Sequence, residues 1–229
     1  EPMSFSTPED GRISLWPERT VDPDEPRAQR VYRSLAPRLG QEGRRLAVYG
    51  FLTCLEEREL HLWRFLRLGY DRGPWVVRDL TDDRVAVLTR AVGHLTGEAH
   101  LLKGFTRFSE QEGVLVGEIA PKNRVLPLLR PHFCARYPEE SFVLYDRTHR
   151  EALFYRPRRW AIVPLEAFRA AAPGREERDF RRLWRRFYDT IAIEGRENPR
   201  CRMTQMPKRF WGTMTEFQNE TEERKELAP

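Results

Sequence analysis

Glu98, His100, His132, Arg136, Asp146 and Glu194 are the side chains of this sequence suited to acid–base work. Carboxylates, imidazoles and a guanidinium that converge between helices and a sheet can take up a proton, return it and hold an anion. Spacing limits what they can do. Glu98 and His100 stand two apart in a helical stretch and point in different directions, so they make no metal pair by themselves, and no HxxxH, HxxE or paired-carboxylate motif stands out. Glu98, His100, His132 and Asp146 are the candidate catalytic set, and no metal is expected. His132 beside Phe133 also fits a core histidine bonded to backbone. Arg107, in a stretch of aromatics, also fits a structural pair with a carboxylate such as Glu98 or Asp146. Neither GxGxxG nor GxxxxGK[ST] occurs, which argues against a nucleotide-binding enzyme, and no CxxxCxxC cluster motif is present.

A second inventory lies near the carboxy terminus. IAIEGRENPRCRMTQMPKRFW places Arg196, Arg200, Arg202, Lys208 and Arg209 beside Asn198, Gln205, Phe210 and Trp211, with Pro199 and Pro207 setting turns. Guanidinium and ammonium groups neutralise phosphates and release counterions, Asn and Gln read base edges, and Trp or Phe stacks on an unpaired base. Arg107 and Arg136 join this set as candidate nucleic-acid ligands. Phe210 and Trp211 equally fit the core of a terminal helix, with Pro207 in the first turn of a short helix through Phe217.

The elements that must carry these groups follow from periodicity. Asp24, Glu25 and Pro26 start a helix whose apolar positions run to Pro37 and Gly40, and further helical patterns span Glu42 to Cys54 and Glu56 to Leu68, the last stopped by Gly69. Asp79 or Thr81 caps a longer helix with Val85, Leu88, Val92, Leu95, Ala99 and Leu102 on one face, closed by Gly104. The period then becomes strand-like over Phe105–Ser109 and Val114–Ile119, around a turn with Gly113. Pro121 to Tyr137 is helical, bent or broken by Pro127 and Pro131. A second hairpin pairs Phe142–Asp146 with Glu151–Tyr155. On a helix from Arg175, Phe180, Leu183, Trp184, Phe187 and Ile191 share one arc, expected to pack, and Arg175, Arg178, Arg181, Arg182, Arg185 and Arg186 form a stripe opposite. That stripe reads either as an anion-binding face or as a solvated one laced with ion pairs. The class is α+β: a helical amino-terminal half, an antiparallel sheet of two hairpins and carboxy-terminal helices. Residues 26–217 are expected to form a single domain between an extended lead-in (1–25) and a disordered acidic tail (218–229).

Bulk properties set the outer limits. The net charge is +5, and the basic residues are nearly all arginine, with lysine at 103, 122, 208 and 225 alone. A coding bias toward arginine and a role in binding both account for that. Cys54, Cys134 and Cys201 are too few and too far apart for a disulfide framework or a CxxC metal site, and read as reduced, mostly buried thiols. No apolar run approaches the roughly 18 to 20 residues of a membrane helix, and EPMSFSTPEDG lacks a signal peptide's apolar core, so a cytoplasmic protein is expected. The chain opens without an initiator Met, so residues before Glu1 are expected to have been removed or to belong to a preceding domain.

The ordered motifs AQRV (Ala28–Val31), FLRLGY (Phe65–Tyr70), ExH with GFxRF (Glu98–Phe108), LPLLxxHFxxRYP (Leu126–Pro138), Tyr145–Asp146, Leu183–Trp184, IxIExRxNP and MPKRFW (Ile191–Trp211) carry a resemblance. With these, the chain resembles an uncharacterised bacterial family of DNA-metabolism or DNA-repair proteins. That family is typically encoded beside a radical-SAM protein similar to DNA-repair enzymes, and a related domain is fused behind uracil-DNA-glycosylase-like domains. The family's amino-terminal D-G-[ST]-F-E-G-type motif has no counterpart here. The resemblance implies a DNA context, with single-stranded or lesion-bearing DNA as ligand, and a radical-SAM protein partner. Any iron–sulfur cluster and S-adenosylmethionine would then belong to that partner, with no cofactor in this chain. Beside this accessory role stand two alternatives: a stand-alone hydrolase or lyase on damaged nucleic acid, and a structural adaptor whose arginine face meets an acidic protein.

Overall fold

The computed structural model describes residues 4–5, 17–168, 175–191 and 198–214. Most of the expected lead-in, the acidic tail, the end of the helix expected to reach Phe217, and Glu194 and Arg196 lie outside them. The fold is α+β, and the chain divides into two compact units, Glu1–Gly97 and Glu98–Pro229. Among the described residues no helix is long and apolar enough to cross a membrane.

The first unit is helical. α1 (Glu25–Phe51) starts where Asp24 Oδ1 accepts the Arg27 N–H at 2.8 Å, with Pro26 in the first turn, where no donor is needed. The two helices expected before Cys54 form this one element, kinked at Gly40, whose φ of 72° suits glycine. α2 (Arg58–Arg72) runs through Gly69 and stops at Gly73. Gly69 is an approach point instead of a terminator: a methyl group there would lie 2.1 Å from Leu39 Cδ2 of α1. After a 3-10 turn (Pro74–Arg78), α3 (Asp83–Phe105) is capped by Asp82, whose Oδ1 accepts the Arg84 N–H, while Thr81 donates to Asp79. Leu35, Leu39, Leu46, Phe65, Leu68, Val76, Val85, Leu88 and Val92 form the core of this unit.

The second unit is built on a five-stranded sheet in the order β1 (Phe108–Gln111), β2 (Val114–Ile119), β3 (Phe142–Asp146), β4 (Glu151–Arg156), β5 (Arg159–Pro164). It is mixed: the hairpins are antiparallel as expected, but β2 and β3 run parallel, because α4 (Leu126–Arg136) carries the chain back to the starting edge. β1 begins at Phe108, three residues later than expected, since α3 continues past Gly104 to Phe105. α4 tolerates both prolines. Pro127 falls in its first turn, and Pro131 omits only a bond to the Pro127 carbonyl. β5 was not expected; Pro157 and Arg158 turn the chain into it. One face of the sheet meets α4 through an aromatic cluster in which Phe108 lies 5.3 Å from Phe133 and Phe142 stacks 4.9 Å from Tyr155.

α5 (Arg175–Ile191) reverses an expectation. Phe180, Leu183, Trp184 and Phe187 are exposed, and it is Arg181, bonded to Glu177 and to Ser109 Oγ on β1, that meets the sheet. The reason is local chemistry: β1 presents a buried hydroxyl at Ser109, which a guanidinium satisfies and a phenyl ring does not. α6 (Pro199–Gln205) and a 3-10 turn (Lys208–Thr213) complete the unit.

Candidate nucleic-acid interface

The segment from Asn198 to Met214 contains no acidic residue. Its anchor is inside. Phe210 is buried against Phe105, with ring centroids 5.4 Å apart, and Met214 is buried beyond it. The Arg209 guanidinium lies 4.5 Å over the Phe210 ring and bonds Glu98 Oε1 of α3 at 3.2 Å. Glu98 is itself buried and fully engaged. Its oxygens accept the Lys122 N–H at 3.1 Å, the Asn123 N–H at 2.9 Å and the Asn123 side-chain amide at 2.7 Å. These donors come from the loop after β2, so one carboxylate ties α3, that loop and the carboxy-terminal turn together.

Around this anchor several residues of the segment face outward. Arg200 and Lys208 are exposed, and Lys208 Nζ lies 5.9 Å from the Trp211 ring centroid. Trp211 is half-buried and its indole N–H donates to the Met206 carbonyl at 3.0 Å, which fits the structural reading of this ring better than a free stacking platform. Asn198 is exposed, but its Oδ1 accepts the Cys201 N–H at 2.9 Å and so caps α6. The Arg202 side chain and all of Arg196 lie outside the described residues. The stripe on α5 is partly neutralised: Glu177 pairs with Arg181 at 2.8 Å and Asp179 with Arg182 at 3.5 Å.

The candidate catalytic residues occupy different settings. Glu98 holds the anchor just described. His100, two residues on, is exposed. His132 sits edge-on to Phe133 at 5.0 Å, and its Nε2 is buried with no hydrogen-bond partner among the described residues, so the expected backbone bond is not made at that nitrogen. Burial, then the charges of Lys103 and Arg136, hold the pKa of His132 below its usual 6.5. Arg136 donates to the Tyr137 hydroxyl at 3.3 Å. Arg107 donates to the Gly104 carbonyl at 2.8 Å and the Thr106 carbonyl at 3.3 Å.

Asp146 is completely buried at the end of β3. It accepts the backbone N–H groups of Thr148 and His149 and the Nδ1 of the His149 ring, the last at 2.7 Å. A carboxylate only accepts, so Nδ1 carries the proton of this bond and the ring is oriented by it. His149 is the functional-type residue missing from the sequence reading, although its D-x-x-H spacing within a turn was there to be seen. No group of His, Cys, Asp and Glu able to hold a metal ion occurs among the described residues. Cys54 and Cys201 are exposed and Cys134 half-buried, so the thiols are not the buried set expected. Burial pushes the Cys134 thiol up, away from thiolate chemistry.

The model of a family described as a domain of unknown function, DUF4130, matches residues 56–216. No curated protein and no solved structure matches the chain.

Proposed function

We propose that this chain, which belongs to the DUF4130 family, binds nucleic acid through its second unit and serves DNA repair or DNA metabolism as an accessory to a radical-SAM enzyme. The observation that supports the binding half is the acid-free segment 198–214, whose Arg200 and Lys208 are exposed while its structural arginine, Arg209, is tied to Glu98. Exposed cations held on a fixed backbone attract a polyanion and release its counterions. The partner half rests on the ordered motifs from Ala28 to Trp211 and the resemblance they carry; on this reading the iron–sulfur cluster and S-adenosylmethionine belong to the partner, and the complex is cytoplasmic. The test is binding of the full chain to single-stranded and double-stranded oligonucleotides across a salt series, with co-purification of a radical-SAM protein from the source cells. Affinity that falls steeply with salt is expected. Absence of DNA affinity together with absence of a partner complex would refute the reading.

The Asp146–His149 pair favours a second reading, a hydrolase or lyase acting on damaged nucleic acid. A buried carboxylate that fixes the tautomer of an imidazole is the base-and-orienter half of a catalytic site. Lesion-bearing oligonucleotides incubated with the chain, with and without divalent metal, test it. Cleavage that survives His149→Ala would remove this pair from any such chemistry.

A further inference from the structure

Among the described residues β5 pairs with β4 on one side and has no strand on the other, and the hairpin these two strands form concentrates positive charge at its turn. Arg156 and Arg159 are cross-strand partners, and Arg156, Arg158 and Arg159 are all exposed. Like charges set opposite each other on an antiparallel pair destabilise it. The hairpin itself, from Ala152 to Leu165, contains no acidic residue; the exposed carboxylates nearest in register are Glu139 and Glu140, ahead of β3. The turn adds a second cost, because Arg158 has φ 65°, where glycine or asparagine is the cheaper residue.

Beside these charges stands an aromatic ring. Trp160 is 52% exposed, and the guanidinium carbon of Arg130, from α4, lies 4.2 Å from its ring centroid. A cation on one face steadies the ring while the rest of it meets solvent. α4 brings no carboxylate to the site, since no acidic residue occurs from Ala120 to Pro138. Trp211, the ring that the sequence put forward for stacking, is half-buried with its N–H engaged; Trp160 is not.

We infer that the β4–β5 hairpin is a single-strand binding surface: an unpaired base stacks on Trp160, and the flanking phosphates are held by the arginines of the turn. This rests on the nucleic-acid reading above and names the strand form it takes. Every base has a π-face, so stacking on tryptophan tolerates any sequence, whereas a duplex keeps its bases stacked on one another. An acidic protein surface would satisfy the arginines as well, but it has no need of an exposed indole fixed beside them.

The test is fluorescence anisotropy of the full chain with a labelled single-stranded oligonucleotide and its duplex, comparing wild type, Trp160→Ala, Trp160→Phe and Trp75→Ala. Thermal unfolding of each variant serves as a check on folding. Trp160→Ala is expected to weaken single-strand binding about tenfold or more, to leave duplex binding nearly unchanged, and to be largely rescued in Trp160→Phe. Trp75→Ala is expected to have no effect. Equal losses on both DNA forms overturn the stacking assignment. Undiminished binding by Trp160→Ala overturns the hairpin proposal and leaves nucleic-acid binding standing. If Trp160→Ala does not fold, the phenylalanine variant and the charge variant Arg158→Glu read the same surface. No binding by the wild-type chain overturns both this proposal and the reading beneath it.

Discussion

Trp75 in the first unit and Trp160 in the second form two tryptophan–guanidinium pairs of similar geometry whose neighbours in sequence differ in charge. Arg78 lies 4.5 Å from the Trp75 ring centroid and Arg130 lies 4.2 Å from that of Trp160. Near Trp75 in sequence, carboxylates share the surface with the cations: Asp79 bonds Arg72 at 3.0 Å, and Asp82 bonds Arg84 at 2.7 Å and Arg72 at 3.5 Å. In the second unit Glu98 is 4% exposed and Asp146 0%, both engaged by backbone N–H groups, Arg209 and His149. Glu118, Glu151 and Glu166 pair there with Arg147, Arg124 and Arg150, which leaves Arg156, Arg158 and Arg159 of the β4–β5 turn out of these pairs. The difference teaches that a count of arginines does not measure a surface's attraction for anions. Where the carboxylates sit decides whether the positive charge is cancelled at the surface or left to act there.

If the buried Glu98 carboxylate holds the cationic segment in place, Glu98→Ala should be the most damaging change. It leaves the buried N–H and amide groups of Asn123 without their acceptor, and a loss of about 2–3 kcal/mol in unfolding free energy is expected from denaturant titration. Next in size is charge reversal. Arg158→Glu with Arg159→Glu should weaken single-strand binding on the order of a hundredfold, whereas Arg78→Glu, already beside Asp79 and Asp82, should change it by about threefold or less. Equal effects at the two places would erase the contrast between them.

Smaller effects probe the carboxylates themselves. Asp82→Ala removes the cap of α3 and should cost about 1 kcal/mol in thermal or denaturant unfolding. The Arg84 side chain bonded to Asp82 holds its carboxyl down to about 2, from an ordinary 3.8. A depressed carboxylate stabilises the fold above its unfolded-state pKa, so this contribution is complete above about pH 4 and is lost as pH falls toward 2. Carboxyl chemical shifts followed by NMR should show Asp82 titrating near 2 and moving toward 3.8 in Arg84→Ala. The smallest effect is at His132. Its lowered pKa means that the unfolded chain binds the proton first, so stability should decline as pH falls below 6.5, and His132→Phe should flatten that slope.

Much of the helical half was legible because its apolar residues recur at helical spacing, as from Val85 to Leu102. What was missed was non-local. Nothing at Leu115 or Phe142 announces that their strands lie parallel, since that depends on where α4 carries the chain. β5 escaped notice because its turn uses Arg158 at positive φ in place of the glycine or asparagine that usually marks such a turn. Gly69 read as a stop because a close approach and a terminator look alike in sequence. In the candidate site, the local features could be read, such as Asn198 ahead of α6 and Asp146 three residues before His149. The bond between Glu98 and Arg209 could not, because only the fold brings α3 to the carboxy-terminal turn.

The central claim is that the exposed cations Arg200 and Lys208 of the 198–214 segment, which form no ion pair among the described residues, contact phosphates. Its most direct test is the salt dependence of single-strand affinity in wild type and in Arg200→Ala combined with Lys208→Ala. Each lost phosphate contact should lower the slope of log affinity against log salt by about 0.7, so the double variant should bind more weakly with a slope smaller by about 1.4. An unchanged slope in a correctly folded double variant would contradict the account.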